Sequence, residues 1–192
     1  MALKSKTHKG LKRNRDLTIL LTLVAGLLLF FIIGGWKLAA AYGVLWFNNI
    51  LLELFYAKSG ANAFVYVEFV TITTIFVGMH YSLSTAFFFS LFVPLALTSI
   101  RMFIAPTDIG SFFLPSFANF LDAFVAVIAH LLRNQGLFTI MVVVLLIKHS
   151  LSLKSEKFTE LQKPYLKLNI LLQIVFNLLL AYYLNDWILF RV

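Results

Sequence analysis

Two adjacent runs decide the fold: FVYVEFVTITTIFVGMH (64–80) and LSTAFFFSLFVPLALTSIRMF (83–103), which meet at the hinge Tyr81-Ser82-Leu83-Ser84. A helix needs about 20 predominantly apolar residues to cross a bilayer core, and the two runs approach that length. They are apolar without the alternation of a barrel strand. The stretch therefore predicts an antiparallel transmembrane hairpin. It carries three groups that hydrocarbon tolerates poorly: Glu68 and His80 on the first arm and Arg101 near the end of the second.

The rest of the chain agrees. Of its 192 residues, 61% are hydrophobic and 12% charged, and the mean hydropathy is +0.91. A soluble domain needs more charge to cover its surface. The expected fold class is all-α, a polytopic transmembrane helical bundle of six or seven spans. A basic cytoplasmic tail over residues 1–16 precedes a single transmembrane domain over 17–192. The tail is expected to be disordered or to lie on the membrane surface.

The net charge of +8 comes largely from two clusters, Lys4 to Arg15 and Lys148 to Lys167. Basic clusters beside apolar spans set orientation and touch anionic lipid headgroups. That reading is preferred to nucleic-acid binding. The chain has no cysteine, which excludes disulfides, thiolate metal sites and thiol nucleophiles. Leu17 to Trp36 is too long for the apolar part of a cleaved signal, and Gly34-Gly35-Trp36-Lys37 is not a small-x-small cleavage site. The segment reads as a retained signal-anchor helix with Gly26 and Gly34-Gly35 as weak points.

Leu38 to Tyr56 is ambiguous. At helical spacing Ala39, Tyr42, Trp46, Asn49, Glu53 and Tyr56 share one face. That stripe either lies in the interface or crosses facing other helices, and Ala39 and Gly43 form a small-xxx-small pair. Further spans are expected at Phe112 to Leu132, from Leu137 through Lys148-His149 and on to Leu153, about 17 residues, and at Leu166 to Leu184. A charged loop stopped by Pro164 precedes the last. Pro94 is expected to kink its helix. Tyr182, Tyr183 and Trp187 read as an interfacial belt.

Counting Leu38–Tyr56 as a crossing gives seven spans. With the N-terminus inside, thirteen of the sixteen basic residues then fall on the inner side, leaving Lys37, Arg133 and Arg191 outside. Six spans would put the late basic loop outside, against the orientation rule. Charge thus favours seven spans in the cytoplasmic membrane.

The candidate functional residues are Glu68, His80, Arg101, Asn119, Asp122 and His130. Glu68, with Thr71 one turn on, reads either as a cation or proton site or as a group reaching the headgroups. Asp122 shares a helix face with Asn119 and Arg133, with His130 at the edge of that face. It is expected to be clamped by Arg101 or by the amide stripe Asn169, Gln173 and Asn177, because an unpaired charge at that depth is expensive. No His-x3-His pair puts two ligands on one helix face. No nucleophile elbow or phosphate-cradling loop is present either. The sequence therefore assigns no catalytic, cofactor or metal residues.

Phe64-Val65-Tyr66-Val67-Glu68-Phe69-Val70, then His80-Tyr81, Ile100-Arg101 and Asp108, resemble the phosphate-starvation-inducible E (PsiE) family of small integral membrane proteins, over about residues 64–108. The resemblance implies a non-enzymatic accessory or sensory role, with Glu68, His80 and Arg101 as polar positions. Such proteins are usually four-span, whereas this chain continues with two helices beyond the Phe112 span. A glutamate-led helix, a glycine, a short turn and a small-residue helix also resemble the substrate-binding S-components of energy-coupling vitamin transporters. That likeness implies small-solute transport. A third reading is a structural subunit whose outer helices pack against membrane partners.

Overall fold

The computed structural model describes residues 2–52, 54–55, 69–104, 117–155 and 163–185. The described residues are helical apart from short turns. Six α-helices follow in order: α1 (Ala2–Trp46), α2 (Val70–His80), α3 (Leu83–Ile104), α4 (Phe117–Leu131), α5 (Leu137–Ser155) and α6 (Lys163–Leu184), with a π-helical turn at Phe47–Leu52 after α1. Helix α1 begins at Ala2, so the basic head is helical rather than disordered.

The short helix α2 organises the bundle. Every residue from Val70 to Met79 is buried, and α2 packs against each of the other five helices, most extensively along α4. Its two sides serve two cores. Val70, Phe76 and Val77 join Leu38, Leu45, Phe89 and Leu97 of α1 and α3. Ile72, Ile75 and Met79 join side chains of α4, α5 and α6, including Val125, Ile140 and Met141. Thr71, Thr74 and Gly78 recur at helical spacing between these sides. At Gly78 the approach of α4 is so close that a Cβ would lie 2.6 Å from the Ala126 carbonyl oxygen and 2.8 Å from the Ala129 Cβ. Small residues permit this contact.

Helix α1 is not one rod. Gly35 has φ +74° and ψ −169°, a conformation open to glycine and strained for other residues. The chain reverses there. The second leg packs back on the first: Tyr42 Oη donates to the Thr22 carbonyl at 2.7 Å and Trp46 Nε1 to Thr22 Oγ1 at 3.1 Å. Phe30 stacks on Tyr42. The expected stripe of Ala39, Tyr42 and Trp46 is buried and faces helices, not an interface. Gly26 is a required small residue, since a Cβ there would strike the Tyr42 ring, whereas one at Gly43 would meet Leu27 only at an ordinary 3.5 Å. The close helix contact is therefore at Gly26, not at the Ala39/Gly43 pair.

The turns close by side-chain capping. Asn48 Oδ1 accepts the Phe69 amide at 3.1 Å, which supplies an acceptor at the start of α2. Ser82 Oγ accepts the Thr85 amide at 3.3 Å, an N-cap for α3 that lies at the expected hinge. Tyr81 Oη donates to the Gly34 carbonyl at 2.7 Å. Burial raises the Tyr81 pKa, with the Leu38 backbone pulling the other way. Asn185 Oδ1 accepts the Phe138 amide at 3.4 Å. Helix α3 continues through Pro94. Pro164 lies in the first turn of α6, where its missing amide hydrogen costs nothing, so the helix begins where the charged loop was expected to stop.

These contacts fix the directions of the helices. Gly34, Tyr81, Gly136 and Asn185 belong to one end of the bundle, and Asn48, Phe69 and Lys148 to the other. Two segments, Arg15–Leu52 and Leu83–Met102, are long and apolar enough to cross a membrane. The outer surface is strongly apolar: Ile32 is 80% exposed, Leu131 72% and Tyr183 71%, with many Leu and Phe side chains between them.

Replacing Gly78 with valine is expected to lower stability by about 1–3 kcal/mol through overpacking against α4. Thermal melts of the purified protein check this, and an unchanged midpoint would contradict the close approach. Asn48→Leu is expected to cost about 1–3 kcal/mol by leaving the Phe69 amide without its acceptor, read in the same melts.

Candidate functional site: a buried ion pair

Where α2, α4 and α5 meet, Lys148 Nζ lies 2.8 Å from Asp122 Oδ1 and donates to Thr71 Oγ1 at 2.9 Å. The two charged side chains are 12% and 9% exposed, and Thr71 is 1% exposed. An ammonium has three donors and no acceptor, and here two of them point at oxygens on two different helices. Lys148 thus ties α5 to both α4 and α2. Asp122 stands in the second turn of α4, whose described part begins at Phe117.

The expected partner of Asp122 was Arg101 or the α6 amide stripe. Among the described side chains Lys148 pairs with it; the side chain of Asn169 lies outside those described. Asn177 instead donates from Nδ2 to the Gln173 carbonyl of its own helix at 2.9 Å. The sequence reading placed Lys148 in the basic cluster flanking the late loop, because a cation after an apolar run resembles a span's end. Helix α5 continues to Ser155, which leaves Lys148 about two turns from its end. The available signal was the apolar Leu151 and Leu153 beyond it, together with an aspartate needing a cation. Thr71 was noticed only as a neighbour of Glu68.

The remaining candidates divide between the two ends. His130 Nδ1 lies 3.1 Å from the Gly78 carbonyl, and His80 Nδ1 lies 3.0 Å from the Phe76 carbonyl of its own helix. Both belong to the end away from Lys148. Eight residues of α4 separate Asp122 from His130, about 12 Å of helix rise. Asn119 is half-buried one turn before Asp122, and Arg101 is half-buried in the last turn of α3. Glu53, Glu68 and Asp108 lie outside the described residues. His80 and His130 thus stand at the end opposite the Asp122–Lys148 pair, which is a buried ion pair among the described residues.

The geometry is that of a clamp. Two opposite charges at contact distance in a low-dielectric core attract strongly, yet both have lost hydration. The net gain of the pair is modest, while the loss on removing one partner is large. Separately, a groove of about 520 Å³ opens between the second leg of α1, α2 and α6, lined by Ala40, Ala41, Val44, Phe47, Phe76 and Leu180 among others. Asp122 and Lys148 do not line it.

No family model matches the chain, and no curated protein or solved structure is significantly similar to it.

Asp122→Leu and Lys148→Met, made singly, are each expected to destabilise the fold by about 3–5 kcal/mol. The apolar double replacement Asp122→Leu/Lys148→Met should recover much of that loss. A double-mutant cycle on thermal or denaturant unfolding measures the coupling. Additive single losses would show that the two side chains do not act as a pair.

Proposed function

We propose that the chain is an integral protein of the cytoplasmic membrane that crosses it seven times, with its N-terminus inside. In this reading it is a non-enzymatic accessory or sensory component of PsiE-like type. The observation that carries the membrane reading is the outer surface. Contiguous exposed Leu, Ile and Phe side chains on this scale call for lipid or a partner, while the polar groups are turned inward. Straight, residues Arg15–Leu52 would span about 57 Å. Folded at Gly35, the segment becomes two legs of about 25–30 Å, each close to a bilayer core.

The arrangement of ends supports seven crossings. With α1 folded, successive helical segments leave from alternate ends. The basic head, Arg101, Lys148 and Lys154 go with the Asn48 end, and Lys37 and Arg133 with the Gly34 end. That asymmetry matches the orientation rule. An accessory or structural role is favoured over small-solute or ion transport because Asp122 is engaged at contact distance by Lys148, and the groove is lined by apolar side chains elsewhere.

The cysteine-free chain suits single-cysteine labelling. Cysteines at positions 59, 111 and 155 are expected to react with an impermeant maleimide from one side of the membrane, and cysteines at 82 and 134 from the other. Labelling of 59 and 155 from opposite sides would overturn the seven-crossing arrangement.

A further inference from the structure

We propose that the groove between the second leg of α1, α2 and α6 holds one acyl chain of an anionic phospholipid, whose phosphate is met by Lys37. The proposal rests on the membrane reading above. The groove is about 520 Å³, within the range of sites that take a small ligand. Its floor on α1 is made of small residues, Ala40, Ala41 and Gly43, and its walls are aromatic and aliphatic. The one hydroxyl among the described lining residues, Thr73 Oγ1, is spent on the Phe69 carbonyl at 2.8 Å. A dry, apolar recess of this size does not retain water, and hydrocarbon fills it at no polar cost.

The groove has a blocked end and a charged end. Phe69 packs edge-on against Phe47 and Phe176, which closes the end nearest Asn48. Towards the other end lies Leu184, at the terminus of α6. On α1, Ala40, Ala41 and Val44 stand three, four and seven residues after Lys37, so the four share one face. Lys37 is half-buried and stands one turn beyond the groove floor, at the end of the bundle that carries Gly34 and Tyr81. Between Phe69 and Phe76 helix α2 rises about 10 Å, within the roughly 15 Å of hydrocarbon in one leaflet. A cation at the mouth of a one-ended apolar slot selects an amphiphile with an anionic head. A fatty chain with a zwitterionic head would gain the slot without the charge.

The test is native mass spectrometry of the full chain, released from nanodiscs containing equal phosphatidylglycerol and phosphatidylcholine. Wild type is expected to retain one phosphatidylglycerol, preferred about fivefold over phosphatidylcholine, the worth of one lysine near anionic lipid. Lys37→Gln is expected to abolish the preference while still retaining one lipid. Ala40→Trp, at an exposed lining position, is expected to retain none. Val44→Trp repeats the block from a second position should the first fail to fold. Equal retention by wild type and both tryptophan variants would overturn the groove as the site, and unchanged preference in Lys37→Gln would overturn the headgroup assignment. Release of the wild-type chain from membranes by alkaline carbonate would sink the membrane reading itself, a result separate from either.

Discussion

The structure depends on an eleven-residue helix that has no outer face. In α2 every side chain from Val70 to Met79 is enclosed, so each neighbour must approach a sequence containing three threonines and a glycine. On the membrane reading proposed above, lipid offers no hydrophobic force between helices, and association comes from close packing and internal polar bonds. Helix α2 supplies both. Gly78 admits α4 to backbone contact, and Thr71 presents a hydroxyl to the Lys148 ammonium. The pair Asp122–Lys148 then couples the two helices that flank this seam.

The other features follow from keeping α2 surrounded. The α1 segment must reverse at Gly35 to lay a second leg against α2, and Thr22 holds that leg through Tyr42 and Trp46. The reversal places Asn48 where it caps the start of α2, and Gly34 where it receives Tyr81. The π-helical turn at Phe47–Leu52 ends the leg, with Asn48 and Ile50 buried. The same leg, leaning on α2 but not closed over by α6, leaves the groove along its small residues.

Much of this was legible from composition and spacing. Continuous apolar runs marked the helices, and Ser82 marked the turn after His80. Three things were not legible. Glycines in an apolar run look like weak points, and only the partner shows that Gly26 makes room for the Tyr42 ring or that Gly35 carries a reversal. The stripe from Ala39 to Trp46 has one face whether it meets an interface or a helix, and local spacing cannot choose. The Asp122–Lys148 contact joins residues 26 apart on different helices. Periodicity orders residues on one helix and says nothing of which cation lies across from it. Arg101, the α6 amides and Lys148 are all polar groups on other helices, and spacing along one helix does not rank them.

The enclosure of α2 is most directly tested by amide hydrogen exchange on the full chain in nanodiscs, because protection reports how much of the fold must open to expose a bond. The account predicts that the amides of residues 73–79 exchange slowest in the protein, and that they remain protected after those of the first leg of α1 have exchanged. Exchange in α2 as fast as in that outer leg would mean that the helix is not the centre of the bundle.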